Sequence, residues 1–207
     1  MTSTANPTWR LPVQERSQRR FRGILEAAGL ELDETSYERL SLDAVAKRAG
    51  SSVGSVYRYF PDKVSLVGAL LHSHAESLSE LFSAATNADQ PLEDVMLSVA
   101  EHYERFILAT PGLSAIAAAS LVDRDAREMF RASMAPLETG ILEALARRFP
   151  HLGRERLSTV ATVVVRLTES LMTLAATSPS PSREALLREM RVLLRSYAAE
   201  LAGSGND

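Results

Sequence analysis

Between Ser41 and Lys63, small hydroxyls, two tyrosines and a lysine fall at spacings suited to gripping a polyanion. Ser41 precedes Leu42, Val45, Ala46 and Ala49, an i, i+3, i+4, i+7 face that predicts a short helix with Ser41 as its N-cap. Gly50 follows, the residue best able to take positive φ just past a helix end. Ser51 and Ser52 offer a second cap. Val53, Val56, Tyr57 and Phe60 then line a second short helix, which Pro61 stops. Two helices of about eight residues joined through Ala49-Gly50-Ser51-Ser52 have helix-turn-helix dimensions. A DNA major groove admits one helix, whose opening turn reads base edges while its partner braces it. Such a helix needs low bulk at its start and apolar groups behind. Ser52, Val53, Gly54 and Ser55 meet the first need, and Val56 and Phe60 meet the second. Tyrosine hydroxyls, helix-start amides and a lysine ammonium are ordinary phosphate partners.

The surrounding pattern is helical throughout. Residues 1–12 read as a flexible arm, and Phe21, Ile24, Leu25, Ala28 and Leu32 then form one apolar stripe. Asp33 to Leu40 lacks a period and links this helix to the next. Asp62 can cap a long helix from Lys63 to about Ala85. Breaks follow at Asn87–Pro91, Thr110-Pro111-Gly112, Pro150–Gly153 and Ser178–Ser182. Asp123 can cap a helix reaching Arg148, and the last two helices are expected at about Glu155–Thr177 and Arg183–Leu201. No alternation of period two is long enough for a strand. The expected fold is all-α with about nine helices. Its parts are a helix-turn-helix domain over 13–63, a second helical domain over 64–202 and a short tail over 203–207.

Bulk composition narrows the chemistry. The formal net charge is −3, but residues 1–63 carry ten Lys/Arg against eight Asp/Glu, and the rest carries thirteen against eighteen. A mildly basic head on an acidic body suits a DNA reader with a remainder that does not touch DNA. Arg16, Arg19, Arg20 and Arg22 crowd the first helix start and read as a solvated face. With no cysteine, disulfides, thiolate metal sites and a cysteine nucleophile are ruled out. His72 and His74 point to different faces of a helix, and His102 and His151 have no ligand-spaced companion, so no metal is expected. No phosphate loop, dinucleotide fingerprint or nucleophile elbow occurs, and neither a cofactor nor an enzymatic role is expected. The apolar runs Leu113–Val122 and Val160–Val165 fall short of the roughly 20 residues that span a bilayer, and no secretory h-region is visible. The expectation is a cytoplasmic protein with no membrane partner.

The stretch SLDAVAKRAGSSVGSVYRYFPDKVSLV, Ser41 to Val67, resembles the DNA-binding region of TetR-family regulators. That pattern has a Ser/Thr cap, an A-x-x-A-G-V-S turn and then x-G-T-L-Y-x-H/Y-F-x-x-K. The chain matches it at Ser41, Ala46, Ala49, Gly50, Ser52, Gly54, Tyr57, Tyr59, Phe60 and Lys63. Ser55 and Val56 are conservative replacements, and Ser51 departs from the usual apolar residue. The resemblance implies that Ser41, Tyr57, Tyr59 and Lys63 contact phosphates. Ser52, Val53, Gly54 and Ser55 would face the groove, with Val53 and Ser55 nearest the bases and Arg58 beside them.

Beyond residue 70 the resemblance is architectural. It implies a ligand-binding domain that dimerises through its last two helices, and these carry broad apolar stripes that suit a four-helix bundle across a two-fold axis. The implied partners are double-stranded operator DNA, a second copy of the chain and a small apolar or amphipathic ligand. Met96, Tyr103, Phe106, Met129, Phe130, Met134 and Met172 can line an apolar cavity. Arg166 and Glu169 stand in apolar company and can orient a polar ligand or pair with each other. The implied action is repression of a palindromic operator, relieved by the ligand. Rival readings are an activator of the same fold without a ligand, a small-molecule-binding or enzymatic bundle with a vestigial helix-turn-helix, and a DNA-coating protein.

Overall fold

Phe21, Ile24, Leu25, Ala28 and Leu32, spaced three and four apart, are all buried along one face of α1 (Glu15–Glu34). The computed structural model describes residues 9–85 and 90–203. Nine further helices follow: α2 (Leu42–Arg48), α3 (Val53–Tyr59), α4 (Lys63–Ala85), α5 (Leu92–Ala109), α6 (Leu113–Ser120), α7 (Arg124–Ser133), α8 (Ala135–Arg148), α9 (Arg154–Thr177) and α10 (Ser182–Gly203). No strand occurs among the described residues, and the fold is all-α. The helix expected from Asp123 to Arg148 is two helices, which makes one more than anticipated. Asp123 caps α7 through its Oδ1, which accepts from the Ala126 amide at 2.7 Å. The next helix restarts after Met134, with Pro136 in its opening turn, where the missing N–H costs nothing.

The chain divides into two compact units, Met1–His74 with Thr110–Ala132, and Ala75–Ala109 with Ser133–Asp207. The division differs from the expected boundary after residue 63. The first unit keeps α4 as far as His74 and gains α6 and α7. The arm expected over 1–12 lies outside the described residues up to Thr8, as do residues 204–207 of the tail and 86–89 of the expected break. Residues 9 and 10 are anchored, in contrast to the flexible arm expected. The Trp9 ring lies 5.8 Å from the His72 ring, and the Arg10 amide donates to the Tyr59 carbonyl at 3.2 Å.

Within the first unit, α6 meets α1 through glycines. Gly112 has φ +80°, and a Cβ on it would lie 2.8 Å from the Gly29 Cα. A Cβ on Gly29 would lie 2.7 Å from the Pro111 carbonyl oxygen. The Gly112 amide donates to Asp33 Oδ1 at 2.9 Å, so one carboxylate of α1 caps the start of α6. The second unit is built from α5, α8, α9 and α10, with α9 packed on α8, α10 and α5. By length and composition α9 is apolar enough to cross a membrane, with mean hydropathy 1.3 over its best window. It is the helix that the other three share, and a core helix meets the same test.

Gly29→Ala should destabilise the protein by about 1–3 kcal/mol, because the obstacle is backbone that cannot rotate away. A thermal melt should show a Tm about 2–10 °C lower; an unchanged Tm would mean that α1 and α6 do not approach as described. Burial also holds the His74 imidazole down at about 4. Protonation therefore favours the unfolded chain, and this contribution is intact above about pH 6.5 and lost as pH falls towards 4. His74→Gln, uncharged at every pH, should lose less Tm than the parent between pH 7 and pH 5.

Candidate functional site

Two hydroxyl caps and one left-handed glycine set the geometry of α2 and α3. Ser41 Oγ accepts from the Ala44 amide at 3.2 Å and Ser52 Oγ from the Ser55 amide at 3.3 Å. Gly50 takes φ +57°, which lets the Ser51 amide reach back to the Ala46 carbonyl at 2.9 Å. Arg48, at the end of α2, pairs with Glu31 at 2.8 Å and also with Glu34, tying this helix to α1. The rear of α3 is aromatic and closed. Val56 and Phe60 are wholly buried, and Phe21 of α1 meets the Phe60 ring at 5.0 Å and the Tyr59 ring edge-on at 5.7 Å. The front is open. Val53 is 42% and Tyr57 49% exposed, Ser52, Gly54 and Arg58 are exposed, and a Cβ on Gly54 would meet nothing within 4 Å.

Three expected contacts are placed differently. Tyr59 is a core ring, 5% exposed, because it lies three residues from Val56 on the face that meets Phe21. Burial raises its phenol, but hydrogen bonds to Ser17 and Arg58 and the charges of Arg58 and Arg20 outweigh this and hold it below the ordinary value. Ser55 Oγ is buried without a hydrogen-bond partner, since it sits one turn from Tyr59 on the inner flank. The Lys63 ammonium donates to the Tyr37 carbonyl at 3.1 Å and lies 4.4 Å from the centre of the Tyr37 ring, so it braces the start of α4. Ser41 is exposed, and its oxygen caps α2. Arg20 is exposed, in keeping with a solvated face, and its charge acts on the Tyr59 phenol.

A cavity of about 360 Å³ lies in the second unit, walled by α5, α8 and α9. Met96, Tyr103, Met134 and Glu169 line it, as do Leu92, Val95, Val99, Leu137, Ile141, Ala144, Leu145, Arg147, Arg148, Val164, Val165 and Thr168. The aliphatic majority went unnamed in the sequence because valine and leucine on a buried face look the same beside a cavity or in a filled core. Met129 and Phe130 belong to the first unit, and Phe106 is not among the lining residues. Met172 lines a separate small groove of about 10 Å³. Arg166 bonds Glu169 at 2.6 Å and Glu138 at 3.3 Å, an ion-pair network in the wall, with Glu169 alone of the three facing the cavity. Tyr103 is buried, its hydroxyl donating to Met134 Sδ at 3.5 Å, and burial pushes its phenol far up. Among the described residues no group of three or more His, Asp or Glu converges as a metal site would.

Residues 24–70 match the model of the bacterial regulatory proteins of the tetR family, and residues 91–197 match that of the tetracyclin repressor-like C-terminal domain. The chain belongs to the TetR family. Its α2–α3 pair is therefore a DNA-binding helix-turn-helix, and the protein is a transcriptional regulator. A crystal structure of a TetR-family regulator from Streptomyces coelicolor is similar at 28% identity and TM-score 0.68, over 87% of this chain and 98% of that one. The transcriptional regulator FadR from Bacillus subtilis, solved in complex with stearoyl-CoA, shares the fold at TM-score 0.70 and 15% identity, over 86% and 98%. The nucleoid occlusion factor SlmA of Actinobacillus pleuropneumoniae (serotype 5b, strain L20) is 24% identical over 110 residues, 53% of this chain and 54% of that protein. The chain thus matches about half the length of that curated relative.

In this TetR-family protein the brace between Lys63 and Tyr37 should be measurable. Lys63→Met, which keeps the stem and removes the charge, should cost about 1–2 kcal/mol in chemical denaturation. Combined with Tyr37→Ala it should add less than the sum of the two single effects. Full additivity would show that the two side chains do not interact.

Proposed function

We propose that the protein is a homodimeric repressor that binds a palindromic operator and is released by a small apolar or amphipathic ligand in the second unit. One observation carries the DNA half: the opening turn of α3 is outward and low in bulk, while Val56, Tyr59 and Phe60 behind it are buried. Val53 then reads base edges, Ser52 and Gly54 allow close approach, and Tyr57 and Arg58, with Ser41, hold the backbone. Two recognition helices about 34–36 Å apart match successive major grooves. The dimer reading is supported by apolar side chains left exposed on the last two helices, Val163 and Leu174 on α9 and Val192 and Leu193 on α10. The ligand half is supported by the cavity, whose volume falls in the range of small-molecule sites. The FadR structure that shares this fold was solved with stearoyl-CoA, which supports the ligand reading. A ligand shifts the helices only by its differential affinity for the bound and released states. The role is regulatory and not catalytic, and the setting is the cytoplasm.

Sequencing DNA retained by the purified protein, followed by footprinting, tests this reading. A palindromic protected site supports it, and uniform coating without preference would favour an architectural DNA-binding role. On that site Arg58→Ala should weaken binding across all sequences and reduce the salt slope by about one. Tyr57→Phe should weaken binding with little change in preference, and Val53→Ala should shift the preferred base. An unaltered slope and affinity for Arg58→Ala would remove that residue from the interface.

A further inference from the structure

One hydrogen-bond donor in the cavity of the second unit is poorly matched. Tyr103 lines that cavity from α5 and is 2% exposed, so its hydroxyl is shut off from bulk water. The hydroxyl donates to Met134 Sδ at 3.5 Å. A thioether sulfur is a weak acceptor, and a buried O–H gains more from an oxygen. Burial, and then the charge of Glu169, hold the proton on the phenol. Tyr103 therefore stays a donor throughout the physiological pH range. Glu169 lines the same cavity from α9, with Thr168 beside it. Its Oε2 accepts from Arg166 at 2.6 Å, and a carboxylate has a second accepting oxygen. The remaining walls are largely apolar, among them Val95, Met96, Val99, Leu137, Ile141 and Val164.

Charge on a ligand is disfavoured beside these groups. Arg166 already serves two carboxylates, Glu169 and, at 3.3 Å, Glu138, so an added anion meets a surplus of negative charge. A cation would compete with Arg166 for Glu169 and would give up its hydration to apolar walls. The arginines that line the cavity from the end of α8 do not alter this. Arg147 is exposed to water, and Arg148 already has a partner in the protein. A fixed donor on α5 and a carboxylate oxygen on α9 suit a neutral group that both accepts and donates. A hydroxyl does so, whereas a ketone or an ether only accepts. An apolar cavity of about 150 Å³ holds one benzene ring, so this one, at about 360 Å³, holds roughly fourteen heavy atoms at the same filling. From these features we propose that the ligand is a neutral, mainly hydrocarbon molecule of that size whose hydroxyl accepts from Tyr103 and donates to Glu169. The proposal rests on the reading of this cavity as the ligand site and names the chemistry that the site takes.

Equilibrium dialysis of the full chain with radiolabelled ring compounds that differ in one group tests it: cyclododecanol, cyclododecanone, chlorocyclododecane, cyclododecylamine and cyclododecanecarboxylate. Dodecan-1-ol and 1-chlorododecane repeat the comparison on an open chain. On either skeleton the alcohol should bind about tenfold tighter than the chloride. On the ring it should exceed the amine and the carboxylate by a similar factor, and the ketone by about threefold. Tyr103→Phe, which keeps the ring and removes the donor, should weaken alcohol and ketone by about five- to tenfold and leave the chloride unchanged. A merely structural role for the hydroxyl would weaken all three alike. Ala144→Trp, which places an indole in the cavity, should abolish binding of every compound; melting curves establish that both variants are folded. Tightest binding of the amine or the carboxylate, or an affinity for the alcohol untouched by Tyr103→Phe, overturns the proposal. If alcohol and chloride bind alike and Ala144→Trp blocks both, the hydroxyl assignment falls and the cavity remains the ligand site. If none of the compounds binds the folded parent, both this proposal and the ligand reading fall.

Discussion

The stacking of Phe21 against Tyr59 and Phe60 is the contact on which the DNA-binding half depends. Three rings from α1 and the end of α3 meet with centroids 5.0 to 6.1 Å apart, behind a helix of only seven residues. A helix that short is not stable alone in water, so its orientation comes from the apolar face it buries. Once Val56, Tyr59 and Phe60 are inside, helical periodicity leaves Val53, Gly54, Tyr57 and Arg58 outside. The exposed face of α3 is thus selected by the side chains that are buried behind it.

The same constraint explains the reassigned side chains. Tyr59 and Tyr57 are two apart, so a helix cannot turn both to the groove. The aromatic cluster claims the first and exposes the second. Ser55, four residues before Tyr59, follows it inward, and Lys63 is drawn to Tyr37 by a ring face and a carbonyl within reach. Each of these residues supports the reading head from behind. The cationic character near α3 comes in part from Arg20, on a helix more than thirty residues earlier in the chain.

The second unit follows a different logic. Its ion pairs between helices, Arg166 with Glu138, Arg191 with Glu104 and Arg195 with Glu93, sit at helix contacts and are only partly buried. They contribute more to the register of the helices than to stability. The core between α5, α8 and α9 is left unfilled over about 360 Å³. Native interiors are otherwise close-packed, and an opening of this size has a stability cost.

The helical periods, the Ser41 and Ser52 caps, the Gly50 turn and the motif from Ser41 to Lys63 were legible in the amino-acid order, because each depends on neighbours within a turn or two. Those local signals determined the all-α class, the helix-turn-helix and the family. Only the tertiary structure decided which tyrosine is core, where the Lys63 ammonium goes, that α6 and α7 join the DNA-binding unit, and that Arg147, Arg148 and Tyr103 share one cavity with Glu169. Those outcomes depend on contacts between residues far apart in the chain. A valine facing a void and a valine facing a neighbour have the same spacing, and only packing distinguishes them.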